Sequence, residues 1–296
     1  MSRFPRLPAW FARIINVLVL AAALSGCSAI RLAYNQSPMM LHWWLDDYAD
    51  FDAEQSKQLR DQLKALQSWH RSQELPLYVN LLAEVQQLAQ GPVSHPQICQ
   101  IYEQFRPRLQ RLSEEAATGL AVTVPQLKPE QLAAIAKQFD KTNRKWRKEW
   151  LDITRNELLE LRVKKNREQL EDFYGPLSEQ QISVLRQLKA ASEFDPRKAW
   201  TERLQRQDEL LQVLRQQSMA KNPDQVVADI RAHLRRQLIA PDTPYRSQSE
   251  LRLREGCRSI AAVHNIASAE QRQHLMHKLQ DYQADLRALA AQANKS

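Results

Sequence analysis

Apolar side chains recur along this chain at intervals of three and four residues and almost never alternate with polar ones, which is the signature of helices rather than strands. Over residues 52–71, Leu59, Leu63, Leu66 and then Trp69 or His70 share one side. Residues 76–90 carry Leu77, Leu81, Val85 and Leu88 and stop at Gly91-Pro92; residues 95–119 carry Ile98, Ile101, Phe105, Leu109 and Leu112, with Pro107 as an expected kink. The longest run spans 129–173, where Leu132, Phe139, Trp146 and Ile153 lie seven apart on one stripe, and it ends at Gly175-Pro176. Further helices are predicted over 178–193, 196–219, 223–239, 247–264 and 268–292. The pattern therefore predicts an all-α fold, a multi-helix bundle of about nine helices packed as a single helical domain over residues 37–296.

The predicted helices start in a shared way. In LSEQQI (177–182) Ser178 is placed to cap, Gln181 to reach back to it, and Leu177 and Ile182 to form a hydrophobic staple. Asp52 with Gln55, Ser94 with Gln97, Ser268 with Gln271, and Asn222 with Gln225 repeat the arrangement. LKPEQL (127–132) departs from it, because Lys128 stands where a cap acceptor belongs. In SPMMLHWWLDDYADF, Ser37 is the expected cap and Pro38 the first helical residue. Spacings between these starts are irregular, which argues against a solenoid.

Composition agrees with the periodicity: 5 Gly in 296 residues, 26% charged residues and few Val or Ile. Net charge is +8, falling to +5 once residues 1–26 are removed. A basic balance invites polyanions, and the N-terminus decides which ones are in reach.

Arg3, Arg6 and Arg13 precede an apolar run from Ile14 to Leu24, which at 11 residues is too short for a span of roughly 20. A basic segment, a short apolar one and then small residues describe an export signal. Leu24-Ser25-Gly26-Cys27 resembles the lipobox of bacterial lipoproteins at all four positions. The resemblance implies a signal peptide over 1–26, cleavage between Gly26 and Cys27, thioether lipidation of Cys27, and acylation of its new amine. Residues 27–36 then form a short tether. Ser28 after the cysteine implies export to the outer membrane, with residues 28–296 on its periplasmic face. That compartment argues against nucleic acid and leaves lipid headgroups, lipopolysaccharide phosphates or acidic envelope proteins as polyanionic partners.

Two further local resemblances add to this. LSEQQISVL, and more weakly LKPEQLAAI, resemble the L-T-x-x-Q motif of the Spy and CpxP periplasmic stress proteins, with Leu127, Gln131, Leu177 and Gln181 matching; these are helical and non-enzymatic, and Spy is a holdase chaperone. A capped helix start produces the same residues without common ancestry. Leu32, Tyr34, Asn35, Trp43, Trp44, Leu45 and Tyr48 together are similar to an N-terminal pattern of uncharacterised proteobacterial lipoproteins, a resemblance that implies no activity.

Three constellations leave alternatives open. Met39, Met40, Trp43, Trp44 and Tyr48, with Leu41, form an aromatic and Met-rich helix that suits the core, a partner groove or a membrane interface. Lys141, Arg144, Lys145, Arg147 and Lys148 interleave with Trp146 and Trp150, and residues 141–167 carry ten basic and four acidic side chains; this is a solvated helix face or a polyanion strip. Cys99 and Cys257 are either a disulfide in an oxidising compartment or two separate buried thiols.

Signals for chemistry are sparse. His274 and His277 lie three apart with Glu270 a turn earlier, but no third or fourth metal ligand has telling spacing. Asp46, Asp47 and Asp50 are close together, as a catalytic pair or as the solvated end of a helix. No nucleophile elbow, zinc-protease motif or phosphate-cradling glycine loop occurs. The expected function is non-enzymatic, without catalytic residue, cofactor or metal: a lipid-anchored interaction or scaffold protein. A holdase is the alternative, and an envelope hydrolase a third reading.

Overall fold

The structure, a computed structural model, describes residues 26–220, 222–238 and 244–293; the side chains of 26–28, 238 and 244–249 lie outside the description. Among the described residues it is entirely helical and has eleven α-helices rather than about nine. They are α1 (Gly26–Ala49), α2 (Ala53–Gln73), α3 (Leu75–Leu88), α4 (His95–Thr123), α5 (Pro129–Trp150), α6 (Arg155–Tyr174), α7 (Glu179–Ala190), α8 (Pro196–Gln217), α9 (Pro223–Leu238), α10 (Pro244–Asn265) and α11 (Ala269–Gln292).

The expected long run over 129–173 is two helices. Leu151 N and Asp152 N both donate to the Arg147 carbonyl, which ends α5. Thr154 then opens α6 with a capping box: its hydroxyl accepts from Glu157 N, and Glu157 accepts from Thr154 N. Ile153, the last member of the seven-residue stripe, sits in the turn.

Nor does a helix start at Ser37. The chain is helical from Gly26, so the residues expected as a tether are the first turns of α1, and Pro38 lies inside that helix. A proline there orphans the carbonyl four residues back, here that of Tyr34. Gln67 of α2 supplies the missing donor: its Nε2 donates to Tyr34 O and, at 3.1 Å, to Ser37 Oγ. Ser37 thus receives a cross-helix bond instead of capping. At α1's start, Arg31 pairs at 3.0 Å with Asp285, a buried carboxylate of α11.

Three apolar clusters hold the bundle. The first joins Leu170 and Tyr174 of α6, Leu185 of α7, Val263 of α10 and Leu275 and Leu279 of α11. The second packs Ala117 and Ala121 of α4 on Val226 and Ile230 of α9, and the third sets Ala49 of α1 beside Ile135 of α5 and Leu211 of α8. A disulfide between Cys99 of α4 and Cys257 of α10, with Cα atoms 5.5 Å apart, closes a loop of 158 residues, which contributes about 5 kcal/mol in the chain-entropy account.

Candidate functional site

A concentration of charge and aromatic rings lies where the end of α5 meets α6, α7, the turn before α8, and α10. Trp146 and Trp150 are one helical turn apart and fold back onto the body. Trp146 stacks on Trp200 of α8 at 5.4 Å between centroids, and Trp150 meets Phe194 edge-on at 6.0 Å. Between them and α10 runs a cleft of about 380 Å³. Its cations are Arg162 and Lys165 of α6, Lys189 of α7 and Arg252 of α10, against one lining acid, Glu255.

Arg162 is the hub. Its guanidinium donates to Glu255 at 2.9 Å and to Ser192 Oγ at 2.7 Å, and lies 4.7 Å over the Phe194 ring. Ser192 Oγ in turn donates to the second Glu255 oxygen. Lys189 Nζ reaches Ser259 Oγ at 3.3 Å. Burial pushes both Lys189 and Arg162 down from their ordinary values, opposed by the Glu255 charge. Lys165 is already paired with Glu149 at 2.8 Å beside the cleft, whereas Lys189 and Arg252 make no ion pair among the described residues; a further anion brought into the cleft would offset the cost of burying Lys189.

The strip read from sequence is on the outside of α5. Lys141, Arg144, Lys145, Arg147 and Lys148 are all exposed, and the two Trp rings between them point inward. Arg147 is drawn off to Asp152 at 3.2 Å. The other four make no ion pair among the described residues and fall on one stripe of about 10 Å along the helix.

Helix α1 splits its aromatic cluster. Tyr48 is half-buried against Phe139 at 5.8 Å, but Trp43 is 61% and Trp44 58% exposed, and Met39, Met40, Leu41 and Leu32 are exposed too. The core reading therefore fails for all of these but Tyr48: α1 buries its Pro38, His42 and Ala49 side, and the large apolar residues occupy the other.

The remaining candidates are structural in their contacts. Asp46 accepts from Phe51 N at 3.0 Å just beyond α1, and Asp47 accepts from Gln138; Asp50 follows the helix with φ 48°. His274 Nδ1 bonds the Phe173 carbonyl at 2.9 Å. No three His, Cys, Asp or Glu side chains among the described residues are grouped to hold a metal ion. Cys27 lies in the first turn of α1, its side chain outside the description, and residues 1–25 are likewise outside the described residues. No described helix is long and apolar enough to cross a membrane.

A family model, described as a family of unknown function, DUF6279, matches residues 47–232, more than half of the chain. The chain belongs to this family. The DUF6279 match runs from the last turn of α1 into α9, so it contains the cleft walls from α5, α6, α7 and Phe194, whereas α10, with Arg252 and Glu255, follows it. No curated protein and no solved structure matches the chain.

The cleft was not legible in the sequence. Lys189 and Ser192 sit in one segment and Arg252 and Glu255 in another about sixty residues on, with no motif spacing; the one signal was the excess of basic residues over 141–167, which includes Arg162 and Lys165.

Proposed function

We propose that this DUF6279 protein is a non-enzymatic, lipid-anchored scaffold of the cell envelope that holds an envelope partner on its helical surface. The observation that carries the reading is the outward apolar face of α1. Leu32, Met39, Met40, Trp43 and Trp44 expose more apolar surface than an isolated solvent-facing helix needs, and the face begins a few residues after Cys27, the proposed lipidation site. An anchor there brings the face to the membrane's periplasmic side, where a membrane-bound partner would meet it. The four unpaired cations of α5 supply a second contact for a polyanionic envelope component, whose hold would weaken with salt.

Crosslinked capture of the lipidated protein from its native envelope tests this. A reproducible partner that disappears in Trp43→Ser/Trp44→Ser supports the scaffold; a partner retained at full level removes α1 from the interface. Mass spectrometry tests the anchor, since an unmodified Cys27 behind an uncleaved leader would overturn the location.

The same exposed Met and Trp face also favours the holdase reading, because Met-rich surfaces adapt to varied apolar clients. A holdase would suppress aggregation of an unfolded client at equal amounts without ATP, and its capture would return a mixture of unfolded proteins rather than one partner.

A further inference from the structure

The residues of α6 and α10 that line two adjoining clefts advance in the same order, and the character of the groove changes along its length. At the Arg162 and Arg252 end it is the basic, aromatic cleft described above. At the Phe173 and Ile260 end it becomes an apolar cleft of about 330 Å³, lined among others by Val85, Ile98, Leu170 and Leu275. Asn166, Gln169 and Gly256 line both parts and form the joint. From Arg162 to Phe173 the groove follows α6 for about 16 Å at the helical rise.

Two features of the joint are unexplained by the packing of the protein itself. Gly256 lies in the interior of α10, where glycine costs about 1 kcal/mol relative to alanine. Its φ is not positive, and a Cβ placed there would meet nothing within 4 Å. Neither backbone geometry nor close approach of a neighbour requires it; its effect is to keep the passage between the two clefts open. Asn166 Oδ1 is buried there without a hydrogen-bond partner, and a buried acceptor left unpaired carries a desolvation cost that a donor would relieve.

We infer that this groove binds a single-chain anionic amphiphile of the lysophospholipid class. The phosphate lies among Lys165, Lys189, Arg252 and Arg162, of which Arg162 and Lys165 already pair with Glu255 and Glu149 while Lys189 and Arg252 make no ion pair among the described residues. The glycerol hydroxyl, midway between head and tail, donates to Asn166 Oδ1. The acyl chain passes Gly256 and fills the apolar cleft. Head and tail need each other in this arrangement. The basic part alone would serve any small anion, and the apolar part alone any oil, but only an amphiphile with a hydroxyl between its ends uses all three. The inference goes beyond the scaffold reading and involves neither the α1 face nor the anchor.

The test uses the full chain and a lysophosphatidylglycerol carrying a photoreactive group near the end of its acyl chain, with labelled sites mapped by peptide mass spectrometry. Labels are expected on α6 near Leu170 and Phe173 and on α10 near Ile260. Unlabelled lysophosphatidylglycerol should compete for these labels, and a monoacylglycerol of the same chain length, which lacks the phosphate, should compete about tenfold less well, as expected for loss of charge-assisted bonds. Shortening the competitor's chain should weaken it about fourfold per methylene. Gly256→Leu, whose Cβ would meet nothing within 4 Å, projects its side chain into the joint and should abolish labelling of α6 and α10 while leaving any labelling of α1 unchanged. Arg252→Gln, which changes an exposed cation of the cleft, should reduce it about tenfold. Labelling confined to α1, undiminished labelling in Gly256→Leu, or equal competition by the uncharged lipid would each overturn the assignment, and competition by glycerol phosphate alone would reduce the site to one for small anions.

Discussion

Two helix-start junctions, far apart in sequence, are built alike. At one, Gln55 of α2 and Gln131 of α5 pair their side-chain amides, with Gln55 Nε2 to Gln131 Oε1 at 3.1 Å and Gln131 Nε2 to Gln55 Oε1 at 2.7 Å. At the other, Gln181 of α7 and Gln271 of α11 do the same at 2.9 and 3.0 Å. The accessory bonds also correspond. Gln55 Nε2 donates to the Gln126 carbonyl and Gln271 Nε2 to that of Pro176, the residues just before the buried Leu127 and Leu177. One turn further in, Leu59 and Ile135 answer to Leu275 and Leu185 in the core. The junctions differ at both caps, with Lys128 for Ser178 and Asp52 for Ser268, and in where the positive φ falls, at Asp50 just before α2 in the first and at Gly175 just before α7 in the second. A glutamine at the third helical position thus does more than close a capping box. Its amide has enough donors and acceptors to satisfy its own helix start and to reach across to a second one.

Loss of one amide from either pair should have the largest effect. Gln181→Leu leaves Gln271 and the Val263 carbonyl without their partner in a dry site, and Gln131→Leu does so to Gln55 and the Asp50 carbonyl. Each should cost about 2–3 kcal/mol, read from denaturant midpoints with the disulfide intact. Gln181→Leu/Gln271→Leu together should cost less than the sum of the singles, since two apolar groups facing each other strand fewer polar atoms. Strict additivity would show that the paired amides do not interact, and that the likeness of the two junctions is only one of helix capping.

The turn residues break the likeness next. Gly175 has φ 72° and ψ −168°, a region open essentially to glycine alone, so Gly175→Ala should cost about 1–3 kcal/mol. Asp50, at φ 48°, is in a region that aspartate tolerates, and Asp50→Gly should change stability by less than about 1 kcal/mol. The caps come third. Ser178→Ala removes the acceptor for Gln181 N and should cost about 1 kcal/mol, while Lys128→Ser should make the first junction resemble the second and offset part of the lost Lys128–Asp52 ion pair. Both thermal midpoints should fall, that of Lys128→Ser by clearly less than that of Ser178→Ala.

How much of this was legible depended on the range of the interaction. Caps are local, so Asp52, Ser94, Ser178 and Ser268 could be read from three-residue spacings, as could the stops at Gly91 and Gly175. The break before Thr154 was legible too, since Thr154 and Glu157 have the same spacing, but the seven-residue apolar stripe across it outweighed that signal. The pairing of Gln55 with Gln131 was not legible, because nothing in an N3 glutamine says which distant helix start it faces. Pro38 misled for the same reason: its place inside α1 depends on Gln67 from another helix. The exposed Trp43 and Trp44 show the limit of composition, which marks a residue as apolar without saying whether the bundle has room for it. The cleft on Arg162 stands furthest from the sequence, being assembled from four helices and the turn before α8.

The smallest predicted effect is the acid response of the first junction, and it isolates what the lysine adds. Asp52 is exposed, and its carboxyl is held below its ordinary value of 3.8 first by the Gln55 backbone N–H and then by Lys128, whose Nζ lies 2.9 Å away. A carboxylate lowered on folding stabilises the protein above its unfolded pKa, and that contribution is lost as pH falls through the folded value; here the window opens below about pH 4. Asp52→Asn keeps an oxygen to cap Gln55 N but carries no charge. Its thermal midpoint should nearly match that of the unsubstituted protein at pH 7 and fall less steeply below pH 4, with high salt narrowing the gap. The second junction has Ser268 and Ser178 at its caps and no such ion pair, so Ser268→Asn should leave the acid slope unchanged. Were both substitutions to flatten it equally, the acid response would belong to helix capping in general and not to the pairing of Lys128 with Asp52.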